Sequence, residues 1–392
     1  MEPPGHISSL AAVIGAILIL AFALLVYVGT RAYFAFQKIG IVFMAIQVVG
    51  AIILFFMFNQ SQAAPIFNSY MQPLTGLANT YQNVTNTAIA AGYNLSPPFS
   101  WSDTLAVSSV LVVPMALGMG TTFIVGEVKQ LKKSQLLAMP LASISFGILF
   151  LLTVVSLIYA FGRDFNYAAN LLYNLDPAQY VPPMAPYNNY FYNMLLSHNF
   201  VLYLVMAIGF AAWSIYFIPM NTMITSRILL AMSFDRLLPQ KLASVSERHA
   251  TPTYATGFMV FIGMLSMVLM VTYPALEALA LAFNFIIPIF LGNLSRVVFP
   301  FRLKALYESS AIKYDVAGIP LVSICGTIGM VFMAVIGYEF ATNNLLFANA
   351  PLPVELTFGV FASAVFLFVI AYIYRKRKGL DLMLSYKEIP PE

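Results

Sequence analysis

The chain has 392 residues, of which 60% are hydrophobic and 9% are charged, and its mean hydropathy is +0.84. A soluble globular domain carries about 25% charged residues, so this composition excludes a soluble enzyme or binding module. The net charge of +4 becomes informative only when the basic residues are placed between the apolar segments.

Nine apolar segments predict nine transmembrane helices, because each is near or above the ~20 residues that span a bilayer. They lie at residues 7–29, 37–58, 104–126, 136–162, 200–232, 254–273, 275–297, 318–340 and 354–374. We therefore predict an all-α polytopic membrane protein. One cysteine and three widely separated histidines offer no ligand set, so we predict neither a metal site nor a cofactor.

Of the 19 Lys and Arg residues, only Arg163 lies in an even-numbered connection between predicted helices, and the others follow odd-numbered helices. Basic residues near helix ends accumulate on the cytoplasmic side. We therefore expect a multi-pass protein of the cell (plasma) membrane, with its N-terminus outside and its C-terminus in the cytoplasm. An outside N-terminus so close to a first helix is unusual, and it predicts further chain ahead of Met1.

The second predicted helix carries one polar side chain near its middle, Gln47. A lone glutamine in a membrane helix serves a hydrogen bond to a neighbouring helix, worth ~1 kcal/mol or less, or a solute or ion path. Ser214, in the fifth predicted helix, is the second candidate for ion coupling.

The polar connections 59–103 and 163–199 are rich in Asn, Tyr and Pro. Both are predicted to be outer loops, and the second is a candidate cap.

The third predicted helix is interrupted between Val113 and Phe123. Pro114 removes a backbone donor, and two glycines each disfavour an α-helix by ~1 kcal/mol. Inside a bilayer a broken helix persists only where protein or a water-filled cavity satisfies its free backbone groups, so we predict a solute site there. The predicted substrate-binding residues are Gly118, Met119, Gly120, Thr121, Thr122 and the facing Trp213. Tight helix packing or a simple kink is the alternative.

Two loop motifs on the predicted cytoplasmic side resemble amino acid permeases of the amino acid-polyamine-organocation (APC) superfamily. The loop after that family's eighth helix is similar to Ser226-Arg227, Ala231-Met232, Asp235-Arg236, Leu238-Pro239 and Thr251-Pro252. The loop after its sixth helix, which is broken and binds solute, is similar to Glu127-Val128-Lys129 with Lys132-Lys133-Ser134. The spacing of the two motifs extends the resemblance to essentially the whole chain.

The resemblance implies a LeuT-like inverted-repeat transporter fold that is N-terminally incomplete, with the nine helices matching the family's fourth to twelfth. Residues 1–392 would form a single transmembrane permease domain. Its parts would be helices of the incomplete first repeat (7–58), a second five-helix repeat (104–297), two C-terminal helices (318–374) and a cytoplasmic tail (375–392). The chain departs from the family where Gly118, Met119 and Gly120 replace the usual aromatic gate and frequent acidic residue.

The function implied is secondary-active transport of amino acids or related amines by alternating access, which the absence of three helices could abolish in this chain alone. The partners expected are a small-molecule substrate, the lipid bilayer and a separate N-terminal three-helix piece, with no nucleic acid. The alternative is a non-transporting membrane subunit or scaffold that needs a partner chain. An enzyme is not expected, because no His-Glu-x-x-His motif or comparable catalytic group lies at membrane depth.

Overall fold

Apolar helices dominate the computed structural model, which describes residues 9–116, 120, 122–124, 131–273, 281–310, 312–343, 351–380 and 382. The helices are α1 (Ser9–Val28), α2 (Thr30–Met57), α3 (Gln60–Thr75), α4 (Thr80–Ala90), α5 (Trp101–Ala116), α6 (Leu131–Phe161), α7 (Arg163–Leu175), α8 (Asn188–Leu195), α9 (Phe200–Phe234), α10 (Thr253–Thr272), α11 (Leu281–Arg302), α12 (Lys304–Ser309), α13 (Leu321–Thr342) and α14 (Pro351–Arg377). Strands β1 (Asp315–Val316) and β2 (Ile319–Pro320) pair antiparallel between α12 and α13.

Eight of these helices are long and apolar enough to cross a bilayer: α1, α2, α6, α9, α10, α11, α13 and α14. This finding, made on the described residues, confirms an all-α polytopic membrane protein with about eight candidate spans. The third predicted helix, 104–126, corresponds to α5 and lies partly outside the described residues, so the count of nine stays a prediction. The LeuT-like inverted repeat and the domain boundaries stay predictions.

The long helices form two groups. In the first, α2 packs on α6 and α9, while α1 and α10 pack on each other and on α9. In the second, α11 packs on α13, and α5 lies against both. Small residues permit the α11–α13 contact, since a Cβ added at Gly329 would lie 2.7 Å from Asn293 Nδ2. The Ser323 hydroxyl donates a hydrogen bond across the same seam to the Val297 carbonyl, at 3.0 Å.

The contact between α2 and α9 also depends on close approach of the two backbones. A Cβ added at Gly209 would lie 2.8 Å from the carbonyl oxygen of Phe43, so only glycine fits there without a shift. Farther along the seam, the rings of Phe36 and Tyr216 stack with their centroids 4.1 Å apart. The Gln37 amide donates to the Tyr216 carbonyl at 3.1 Å. These contacts hold α2 and α9 together over much of their length.

Four short helices, α3, α4, α7 and α8, form what we call the cap, which covers one end of α2, α6 and α9. The largest buried apolar cluster of the described residues joins the cap to these helix ends, and it includes Phe67 and Phe165 of the cap and Phe161 of α6, all at most 2% exposed. The prediction that 59–103 and 163–199 are loops was wrong. Helices form because apolar residues recur at helical spacing: Ala63, Phe67 and Met71 in α3, and Phe165, Ala168, Ala169 and Leu172 in α7.

The opposite end of the molecule, where the basic residues gather, is tied together by the loop after α9. The chain reverses between α1 and α2 at Gly29, whose φ of 127° favours glycine. His249 and Thr251 bond the carbonyls that end α1: His249 Nδ1 lies 3.2 Å from Val28 O, and the Thr251 hydroxyl donates to Tyr27 O at 3.1 Å. The Thr251-Pro252 motif therefore anchors the α1–α2 turn.

Candidate functional site

The interrupted helix lies at the junction of the two helix groups. Helix α5 is described to Ala116, and the next described residues, Gly120 and 122–124, adopt a 3-10 rather than an α-helical conformation. Gly118, Met119 and Thr121 lie outside the described residues. Helix α5 contacts α6 of the first helix group as well as α11 and α13 of the second.

The described part of this segment packs closely on α9. A Cβ added at Gly120 would lie 2.8 Å from Cδ1 of Ile224, so the backbone approaches α9 at that point. Ile124 packs against a small buried cluster formed by Val26 of α1, Tyr33 of α2 and Met223 of α9. Thr122 has an exposed side chain. A non-α-helical conformation and a tight backbone contact are thus both present at Gly120, and the solute site there stays a prediction.

The two polar residues predicted in separate helices, Gln47 and Trp213, bond directly to each other. The indole Nε1–H of Trp213 donates to Oε1 of Gln47 at 3.0 Å, and Nε2 of Gln47 donates to the Tyr192 hydroxyl at 3.3 Å. Gln47 is 7% exposed, so this pairing satisfies an amide that would be costly to bury alone. The chain of bonds connects α2, α9 and the cap. Ser214 has an exposed side chain.

A cavity of about 680 Å³ adjoins the Gln47–Trp213 pair. It lies between α6 and α9, with α2 as its floor and the chain entering α8 at one end. Its described lining residues are mostly apolar or aromatic, and none of them is an Asp, Glu, Lys or Arg: Ile41, Met44, Ala45, Gln47, Val48, Val49, Ala51, Phe146, Leu149, Phe150, Thr153, Pro186, Tyr187, Asn188, Asn189, Phe210 and Trp213. Such a cavity suits an apolar ligand rather than a charged one.

The predicted site residues occupy two different levels of the molecule. Trp213 and Ile224 are separated by eleven positions in α9, which corresponds to ~16 Å along the helix axis. Trp213 therefore contacts Gln47 at one level, whereas Gly120 contacts α9 at another. The prediction that Trp213 and the residues around Gly120 meet one solute stays a prediction, because half of that segment lies outside the described residues.

Tyr192 is a site residue that sequence reasoning missed. It is fully buried in α8, with its ring 6.3 Å from that of Phe55. Burial raises the pKa of its hydroxyl to about 12, an effect that the hydrogen bond from Gln47 partly offsets. The available signal was the apolar pattern of Phe191, Tyr192, Met194 and Leu195, which indicated a packed turn of helix rather than a loop.

One carboxylate lies buried in a membrane helix. Glu339 is 7% exposed near the end of α13, and Nδ2 of Asn343 lies 3.4 Å from its Oε2. Ionisable residues within membrane helices mark functional sites more often than other residues do. Within the described ranges, no three His, Cys, Asp or Glu side chains are grouped closely enough to hold a metal ion.

The comparison with known proteins assigns no family. The chain matches no protein-family model, and no curated protein is significantly similar to it. The resemblance of its two loop motifs to amino acid permeases therefore stays a prediction. The conclusion that its residues and architecture support is that the chain is an all-helical, multi-pass membrane protein with eight candidate membrane spans in its described part.

Proposed function

We propose that this protein is a secondary transporter for amino acids or related amines that works by alternating access. The observation that carries the proposal is the position of α5 and the segment after it. Helix α5 packs on α11 and α13, while Gly120 and Ile124 contact the group formed by α1, α2 and α9. A backbone that leaves the α-helical conformation between two groups of helices is the usual place for a transported solute.

The chemistry of a helix end explains why an amine or amino acid is the proposed cargo. Carbonyl groups at the C-terminal end of a helix lack partners within the helix and carry a partial negative charge. Near Ala116, the last described residue of α5, such carbonyls would supply acceptors for an ammonium group without the need for an acidic side chain. Thr121 and Thr122 add hydroxyl groups that accept from an ammonium group or donate to a carboxylate. Gln47 and Trp213 then hold α2 against α9, beside the path rather than in it.

Alternating access requires two rigid parts that move relative to each other around the site. The glycine-mediated seams supply them: Gly209 joins α9 to α2, and Gly326 and Gly329 join α13 to α11. The cap ties the ends of α2, α6 and α9 together on one side, and it would move with the first group. Movement of α5 between the groups would then open the site to each side in turn.

Uptake by purified protein tests the proposal. The chain is reconstituted alone and together with a separately expressed three-helix N-terminal piece of the kind that the permease resemblance implies. We expect little uptake by the chain alone and saturable uptake of at least one radiolabelled amino acid or amine with the piece present. If folded protein in both preparations fails to take up or exchange any member of the panel, the transport proposal is wrong.

A double-mutant cycle tests whether Gly120 serves the site or only packing. Gly120→Ala places a methyl group against Cδ1 of Ile224, and Ile224→Val removes that carbon. If packing is the only role, Ile224→Val restores both the stability and the transport of Gly120→Ala. We expect it to restore melting temperature but not uptake, because the added methyl also alters the non-helical backbone. Gly257→Ala, in open space on α10, is the matched control.

A non-transporting subunit or scaffold is the second candidate, and α14 is the observation in its favour. This helix is almost entirely exposed along its length, including Phe366 at 65% and Phe358 at 65%. A subunit would use such a face to bind another membrane protein. Crosslinking from α14 to a single partner chain, combined with absence of uptake, would support the scaffold. Uptake by a variant that lacks α14 would exclude it.

A further inference from the structure

The cavity between α6 and α9 has the properties of a lipid-binding groove rather than of a solute site. Both helices pack on α2, and no extensive contact joins them to each other within the described ranges. Side chains along its walls are exposed at the surface of the molecule: Ile41 by 59%, Phe150 by 41% and Phe210 by 45%. In a membrane these surfaces face hydrocarbon, so the cavity is continuous with the bilayer.

The depth of the cavity matches one leaflet. Its floor on α2 runs from Ile41 to Ala51, ten residues apart, and therefore extends ~15 Å along the helix. The hydrocarbon core of a bilayer is ~30 Å thick, so one leaflet contributes ~15 Å. An acyl chain that enters beside Ala51 would reach the bottom of the cavity at the bilayer midplane.

The end of the cavity beneath the cap has the side chains of a headgroup region. Tyr187, Asn188 and Asn189 line it, with Tyr187 56% exposed and Asn188 exposed. Tyrosines occur preferentially at the level of lipid headgroups, where the ring and the hydroxyl face different surroundings. The polar groups here are neutral. Arg163, a basic residue of the cap, does not line the cavity and pairs with Asp164 at 3.3 Å.

A second, smaller cavity of about 260 Å³ adjoins the first. The two share Phe146 and Phe150 of α6, whose rings stack with centroids 6.1 Å apart, and the second extends to Leu111 of α5. The aromatic pair thus has an apolar cavity on either side. Two cavities separated by a thin wall fit two acyl chains better than they fit one rigid ring system.

We propose that this site binds one phospholipid with a zwitterionic headgroup. One acyl chain lies between α6 and α9, the other on the α5 side of Phe146 and Phe150, and the headgroup lies at Tyr187–Asn189. Gln47 and Trp213 satisfy each other's hydrogen bonds, so they demand no polar group from the ligand. An anionic headgroup is disfavoured because no Lys or Arg is among the described residues that line the two cavities. The proposal is independent of transport and survives if no cargo is found.

Cavity filling, read by native mass spectrometry of the detergent-purified protein, provides the first test. Ala45→Phe places a ring in the cavity, and Ala35→Phe places the same ring on an exposed part of α2 outside it. We expect wild type and Ala35→Phe to retain one phospholipid. Ala45→Phe should bind it about tenfold more weakly, which corresponds to ~1.4 kcal/mol of binding free energy. Equal retention by both variants, retention of a sterol, or no lipid on wild type would overturn the proposal.

Fluorescence quenching provides a test that leaves the cavity intact. The chain has two tryptophans, so Trp101→Phe makes Trp213 the sole tryptophan, whose fluorescence is excited selectively. Its partner Gln47 lies four residues from Ala51 and six from Ile41, ~6 and ~9 Å along α2. Phosphatidylcholine brominated at mid-chain should therefore quench Trp213 more strongly than lipid brominated at the chain end. Quenching that is equal at both positions, or that is stronger with anionic lipid, would contradict the site.

Discussion

Phe67 and Phe366 are both phenylalanines in helices, yet Phe67 is 1% exposed in the cap whereas Phe366, in α14, is 65% exposed. The difference holds generally between the two regions. The cap has a dry aromatic core in which the rings of Tyr81 and Phe165 stack with centroids 4.2 Å apart. The long helices place most of their apolar side chains outward, where lipid solvates them.

The comparison shows that hydrophobicity has different physical consequences in the two regions. In the cap, burial removes apolar surface from water, so each buried ring stabilises the folded state. Between membrane helices no such gain exists, because lipid is as apolar as the protein interior. The seams therefore rely on glycines that allow backbones to approach, as at Gly209 and Gly329, and on single polar bonds such as Trp213 to Gln47.

The largest expected effect comes from a substitution in the buried core of the cap. Phe67→Ala should lower the free energy of unfolding of the cap by ~3 to 5 kcal/mol, because it leaves a cavity among buried rings. Thermal unfolding in detergent, followed by near-ultraviolet circular dichroism, measures the change. The matched control Phe366→Ala should change stability by ~0.5 kcal/mol or less. Similar losses in both variants would remove the distinction between the regions.

The next largest effect comes from a substitution in the contact between the membrane helices α2 and α9. Gly209→Ala should lower the free energy of unfolding by ~1 to 3 kcal/mol, because the added methyl group would clash with the backbone oxygen of Phe43, which cannot rotate away. Gly257→Ala, in open space on α10, should leave stability unchanged or raise it by up to ~1 kcal/mol. The melting temperatures of the two variants, measured in the same detergent, test this difference in stability. A Gly209→Ala variant as stable as Gly257→Ala would show that the seam is loose.

Alkaline pH should affect the cap before the membrane helices. Burial raises the pKa of Tyr81 and Tyr192 from 10.0 to about 12. Between those values the unfolded state loses these protons first, so stability falls as pH rises above 10 and is constant below it. Tyrosinate absorbance followed alongside circular dichroism should show ionisation coupled to loss of cap structure. Tyr192→Phe should weaken the pH dependence, and an unchanged profile would contradict this assignment.

The smallest effect concerns the end of α14. Arg375 donates from Nε to the carbonyl of Arg236 at 2.9 Å and from Nη2 to that of Leu238 at 3.1 Å. Because these hydrogen bonds lie near solvent, Arg375→Gln should lower the free energy of unfolding by ~1 kcal/mol or less. Hydrogen exchange should speed up at 375–380 and at 236–238 without change in the cap. Exposed Arg377→Gln is the control, and an equal effect there would show that charge alone matters.

The candidate site was predicted only in part. Gln47 stood out as a lone polar residue in an apolar helix, and the glycines after Pro114 indicated that α5 is interrupted. Their partners were not predictable, because Gln47 is 145 positions from Tyr192 and 166 from Trp213. Sequence periodicity reports which face of one helix is apolar and contains no information about which distant helix will meet it.

Composition and local pattern by themselves determined that the chain is an all-helical membrane protein, since lipid permits a spanning segment to satisfy its backbone only internally. They placed the ends of all eight described spans to within seven residues. The sequence offered only 163–199 as a candidate cap, and tertiary structure decided that both polar connections fold into cap helices, because Asn- and Tyr-rich helices are stable only when their apolar faces meet. It also decided that Trp213 faces Gln47 and a charge-free cavity, because helix packing sets which side chains share one space.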